Sequence, residues 1–156
     1  MHLNPMSFRL GRTLTALVLC VVFAASAVAA EDWAGTVKSV NGTVAVERGG
    51  KAMPISVGDK VLSKDKLVTG KDSRIAVTLR DDTLISTGAN SRLALNEFTF
   101  DPATQGGSLF VSVLRGVTAM VSGLVAKTEP HAMRITTPTA TIGIRGTEFI
   151  VEVDGE

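Results

Sequence analysis

The chain has no tyrosine, one tryptophan, two histidines and a single cysteine in 156 residues. Each scarcity removes a class of function. Cys20 lies inside an apolar run and follows Leu19, not Gly, Ala or Ser, so it does not match a lipoprotein attachment site. With that run removed, disulfides, thiolate catalysis and cysteine metal sites are excluded, although an oxidising compartment would permit disulfides. Of the six phenylalanines, Phe8 and Phe23 precede residue 31. Too few aromatics then remain to line a sugar groove, which argues against glycoside cleavage by paired carboxylates.

No charge of one sign dominates either. Taking Arg9 and Arg12 from the 16 basic residues leaves 14 against 15 acidic ones. A balanced surface offers no footprint for nucleic acid.

What is present begins with a leader. Arg9 and Arg12 precede an apolar run from Leu14 to about Ala25, and Ser26-Ala27-Val28-Ala29-Ala30 supplies the small residues of a signal-peptidase site. Residues 1–30 are therefore read as a signal helix, cleaved after Ala29 or Ala30. The alternative is a retained anchor, since roughly 17 apolar residues is the lower limit for a span. Contact with a membrane is expected through this segment alone, if it stays uncleaved. Residues 31–156 fit one domain that buries roughly two thirds of its surface.

From Gly35 onward apolar residues alternate with polar ones, and turn residues recur every eight to twelve positions, an all-β pattern. Trp33 follows a frayed start and is expected to cover one end of the core. Thr36–Val40 and Thr43–Arg48 flank Asn41-Gly42, the strongest short hairpin signal. Gly49-Gly50, Gly58-Asp59, Ser63-Lys64-Asp65, Gly70-Lys71-Asp72 and Asp81-Asp82 punctuate further short strands. Two more continuous apolar runs, Ser108–Leu114 and Val117–Val121, surround Arg115-Gly116 and read as strands covered on both faces. Residues 124–131 predict one helical turn before Pro130. Strands this short suit a β-solenoid-like roll or a compact sandwich.

The densest block is Thr137–Val153, TPTATIGIRGTEFIVEV. Ile142 and Ile144 point one way before a bend; Phe149, Val151 and Val153 point one way after it, with Glu148 and Glu152 opposite. A core-facing hairpin or corner follows. Gly143 and Gly146 mark positions that need positive φ or a close neighbouring strand. Arg145 between them is expected to pair with a carboxylate or to cap several carbonyls, because an unpaired charge there costs too much, and to serve packing more than ligand binding.

Catalytic chemistry finds little support. His131 is the only histidine after the leader, and Ser108 or Ser122 lacks a Gly-x-Ser-x-Gly elbow. Asp59, Asp65, Asp72, Asp81 and Asp82 fall in turns where stacked carboxylates could gather calcium. Asx turns account for them more simply, and neither a metal nor another cofactor is expected.

The ordered march Gly35-x-Val37, Gly42-x-Val44-x-Val46, Pro54-Ile55-x-Val57-Gly58-Asp59-x-Val61, Asp65-x-Leu67-x-Thr69-Gly70, Ser73-x-Ile75, Asn90-Ser91-x-Leu93 and, above all, Gly143-Ile144-Arg145-Gly146-Thr147 resembles the FecR periplasmic domain. The resemblance covers about Trp33 to Val153. It implies a non-enzymatic, all-β domain of the periplasm or cell surface that acts by protein contact, with an envelope protein as partner and a role in sensing or passing signals. Gly143, Arg145, Gly146 and Thr147 are expected to form the docking motif, on the strength of the glycine-arginine block and the last strand. The alternative is a module that binds peptidoglycan or a surface polysaccharide. In the founding members the domain belongs to a transmembrane regulator of an extracytoplasmic sigma factor. Only a short stretch precedes Leu14 here, so no segment that would grip a sigma factor is expected, and the regulator role is not expected to carry over intact. Relatives continue past the Arg-Gly-Thr strand into another hairpin, so the last strand here is expected to show an unpaired edge or the chain to be a fragment. Lys64 and Asp82 stand where relatives have turn glycines, at up to about 1 kcal/mol each if φ is positive.

Overall fold

The structure is a computed structural model, and it describes residues 33–144 and 148–154. The expected signal helix lies outside them. The chain is all-β: β1 (Trp33–Asn41), β2 (Val44–Arg48), β3 (Lys51–Pro54), β4 (Lys60–Leu62), β5 (Lys66–Thr69), β6 (Arg74–Leu79), β7 (Leu84–Thr87), β8 (Arg92–Phe100), β9 (Gly107–Val121), β10 (Met133–Thr136), β11 (Thr141–Gly143) and β12 (Glu148–Val153). One short helix, α1 (Leu124–Thr128), and a 3-10 turn at Pro130–Ala132 follow β9, as the helical turn before Pro130 predicts.

All twelve strands belong to one curled sheet, half a barrel, with the path β3-β2-β5-β8-β9-β7-β6-β1-β4. Its two halves face each other. One layer holds β4, β1, β6, β7, the second half of β9 and β12; the other holds β3, β2, β5, β8, the first half of β9, β10 and β11. Between them Val37, Ile75, Val77, Ile85 and Met120 from the first layer meet Val46, Leu67, Leu93, Leu95, Val111 and Ile135 from the second in one core.

Four of the crossings between the layers are bends stacked on one another. The chain crosses between β1 and β2 at Gly42, between β5 and β6 over Gly70–Ser73, between β7 and β8 over Gly88–Ser91, and within β9 at Gly116. Asn41-Gly42 is therefore a corner and no hairpin: β1 pairs with β4 and β6, β2 with β3 and β5, and the two never pair with each other. Gly42 has the positive φ of 75° that the dipeptide signals, but it is spent on turning the strand out of its layer.

A repeated device locks these corners. The Thr43 N–H, just after Gly42, donates to Ser73 Oγ at 2.9 Å, and that hydroxyl donates to the Lys71 carbonyl. The Val117 N–H, just after Gly116, donates to Ser91 Oγ at 3.1 Å, and that hydroxyl donates to the Ala89 carbonyl. In both places a Cβ on the glycine would collide with the serine. Backbone bonds continue the stack, from the Gly70 N–H to Thr43 O, Asn90 N–H to Gly70 O and Gly88 N–H to Val117 O. These bonds pair backbone groups of one bend with those of the next.

Other turns follow the sequence more directly. Gly49 and Gly50, both at positive φ, close the two-residue hairpin between β2 and β3. Lys64 and Asp82 adopt φ of 73° and 66°, as their place in turns usually held by glycine anticipates. Buried Asp65 fixes its turn by accepting from the Leu62 N–H and from both Nε and Nη2 of Arg48. Asp81, also buried, accepts from the Thr83 N–H and hydroxyl and from the Val125 N–H, which docks the start of α1. The two apolar runs around Gly116 prove to be one strand, β9. It buries Leu109, Val111, Val113, Thr118 and Met120 on one face only and leaves Leu114, Val117 and Val121 exposed, so the expected two-sided cover is absent. Trp33 starts β1 with its ring partly exposed beneath Lys60 and Arg80, 5.2 and 5.5 Å from the centroid.

Candidate functional site

β12 alternates as its sequence demands. Phe149, Val151 and Val153 face inward, Val151 fully buried, while Glu148, Ile150 and Glu152 face out. It pairs antiparallel with β9, Glu148 opposite Val121, Ile150 opposite Ala119 and Glu152 opposite Val117. On the far side of β9, Leu84 lies opposite Val121 and Ser86 opposite Ala119. The outer face of this layer therefore carries Leu84, Val117, Val121 and Ile150 together, and Ile150 is 68% exposed. Among the described residues β12 has no strand on its other flank.

A groove opens at one end of β12. The first half of β9 pairs with β10 as far as Ser112, and the second half pairs with β12 from Gly116 onward. Residues 113–115 pair with neither on that flank. The gap forms a depression of about 670 Å³ bordered by Leu114 and Arg115, the Thr137–Thr139 turn and the end of β12 from Glu152 to Asp154. The Thr137 N–H bonds to Ala140 O at 2.8 Å, and the Ala140 N–H returns to the Thr137 hydroxyl at 3.0 Å, so one wall is held by its own turn.

The described parts of Thr137–Val153 do not form a hairpin with each other: β11 pairs with β10 in one layer, β12 with β9 in the other. Gly143 departs from expectation. It is exposed at the end of β11, its φ is not positive, and a Cβ there would touch nothing within 4 Å. An exposed edge strand imposes neither requirement. Arg145, Gly146 and Thr147 lie outside the described residues. Sequence reasoning marked this block for its glycines and missed the apolar strip beside it. The signal was Ile150 standing between two glutamates in a strand whose other apolar residues occupy the opposite face.

His131 is exposed in the 3-10 turn, and the Ser108 hydroxyl is engaged with Glu97 and Thr99. Among the described residues no three His, Cys, Asp or Glu side chains gather as metal ligands, and no helix is long and apolar enough to cross a membrane.

No curated protein matches the chain. A solved structure described as a cell surface anchoring domain is similar at 21% identity, over 38% of this chain and 80% of that one, with a TM-score of 0.38. The family described as FecR protein matches residues 65–156, from the buried Asp65 turn through the glycine-arginine block and β12, which is more than half of the sequence, and the chain belongs to that family.

Proposed function

We propose that this FecR-family domain works in the cell envelope as a non-catalytic docking module, and that the open edge of β12 is where a partner protein adds a strand. The observation that carries this reading is Ile150: a large apolar side chain, 68% exposed, in the middle of a six-residue strand that has no neighbour on one flank among the described residues. An unpaired edge presents N–H and C=O groups in register for a further strand, and an exposed apolar side chain at its centre supplies the burial that such pairing needs. The FecR family is one of signalling and regulation, which fits recognition and not turnover. The face of Trp33 is the obvious aromatic platform for a sugar, and two cations already cover it.

The test is a photo-activatable residue placed at Ile150 and, separately, at Val57, which is 62% exposed between β3 and β4. Cross-linking in whole cells should give an adduct with an envelope protein from position 150 that position 57 does not give. Equal labelling from both sites, or sedimentation of the protein with insoluble cell wall and no adduct at all, would overturn the proposal.

A further inference from the structure

The outward face of β12 reads acidic, apolar, acidic: Glu148, Ile150, Glu152, all exposed, with no cation on the strand. On a sheet edge the side chains directly opposite one another decide whether a pairing is favourable, and like charges set face to face oppose it. Consider a second copy as the occupant. A two-fold antiparallel pairing centred on Ile150 keeps the outer faces continuous and joins the two apolar centres; it sets Ile150 against Ile150 and each Glu148 against the other copy's Glu152. A parallel, in-register pairing sets Glu148 on Glu148 and Glu152 on Glu152. In either arrangement the apolar contact is flanked by two repulsive pairs.

We infer that β12 is built to accept an extended segment of a different protein whose matching positions alternate basic, apolar, basic, and that its glutamates exclude self-pairing. Because the pattern Glu-x-Ile-x-Glu reads the same in both directions, such a segment fits antiparallel or parallel. This inference rests on the docking reading above and names the chemistry of the partner. The device is a common one at sheet edges: charge placed at a strand margin rejects the wrong partner while leaving the centre available.

The chain itself supplies the test. The double variant Glu148→Lys/Glu152→Lys presents basic, apolar, basic on the same backbone, and its side chains are exposed, so its melting temperature should match the wild type. Chains expressed with their native leader and purified from the envelope are examined by sedimentation equilibrium, alone and mixed. Wild type alone and the double variant alone should both remain monomers. Their equimolar mixture should shift to the mass of a dimer and return to monomers as salt is raised. The single variant Glu152→Lys should dimerise alone, since each Glu148 then meets a Lys. A mixture that stays monomeric with all variants folded, or a wild type that already dimerises, overturns the inference. The photo-cross-linking experiment separates the two readings. An adduct at position 150 with no pairing in the mixture condemns the charge pattern only, and pairing in the mixture without a cellular adduct condemns the docking reading only.

Discussion

Replacing Gly116 by alanine tests whether the stacked corners hold this fold together. Two costs combine there. Gly116 has φ of 83°, where an alanine costs about 1–2 kcal/mol relative to glycine. The new Cβ would also collide with Ser91, including its Cα, which cannot swing away, and overpacking of that kind adds about 1–3 kcal/mol. The expected loss is about 2–5 kcal/mol, or roughly 8–20 °C in melting temperature for a domain of this size. Gly49→Ala is the control. Its φ of 56° is also positive, but nothing lies within 4 Å of an added Cβ, so it should lose only about 1 kcal/mol. Adding Ser91→Gly to Gly116→Ala should recover part of the loss, giving a double variant less destabilised than the sum of the singles. Equilibrium urea denaturation of the wild type, the three single variants and the double variant reads all of this. If Gly116→Ala and Gly49→Ala agree within about 0.5 kcal/mol, the close contact between bends contributes nothing and the account of the corners fails.

Other positions give sharp expectations from burial and partnership. Arg48→Ala strands the Asp65 carboxylate, 1% exposed, with the Leu62 N–H alone, at about 2–4 kcal/mol; Asp65→Ala should cost less, about 1–3 kcal/mol, because Arg48 is 38% exposed and can turn to water. The order of their denaturation midpoints checks this. Thr87 and Thr118 face each other across β7 and β9, buried, and neither hydroxyl has a partner among the described residues. Thr87→Val and Thr118→Val should therefore be neutral or stabilise by up to about 1 kcal/mol, and a loss above about 1 kcal/mol in either would reveal a bond to that hydroxyl. Asp81→Ala removes the acceptor for the Thr83 N–H, the Thr83 hydroxyl and the Val125 N–H and should cost about 2–3 kcal/mol, with faster amide exchange at Val125 as the local readout.

The all-β class was legible because alternation is local: each of β6, β7 and β12 needs only its own residues to declare an inner and an outer face. The turns at Gly49-Gly50, Asp65 and Asp81 were legible for the same reason, since an Asx bond or a positive φ is settled within a few positions. What Asn41-Gly42 does was not legible. The dipeptide specifies a backbone conformation, and a hairpin and a corner both use it. The choice is made thirty residues away by Ser73, whose hydroxyl takes the Thr43 N–H where a returning strand would otherwise have to. Ser91 and Gly116 repeat the relation, and a serine and a glycine that far apart leave no periodic trace in a sequence. Gly143 failed for the opposite reason. It sits in a dense-looking block, yet the strand that holds it is an exposed edge where crowding never arises.

The other margins of this sheet explain why β12 is singled out. β3 ends one side of the path as four exposed residues beginning with Lys51 and closing on Pro54, which has no N–H to offer; β4 ends the other as three residues led by Lys60; β11 is three residues long. Short length, lysine and proline are the means by which an edge is made unattractive to another strand. β12 has none of them. It is six residues long, carries no proline or lysine, and holds Ile150 out to water at its centre. Its two glutamates oppose an acidic strand and attract a basic one. Among the described residues, then, three margins are guarded and β12 is not, which is the condition that the proposed strand addition requires.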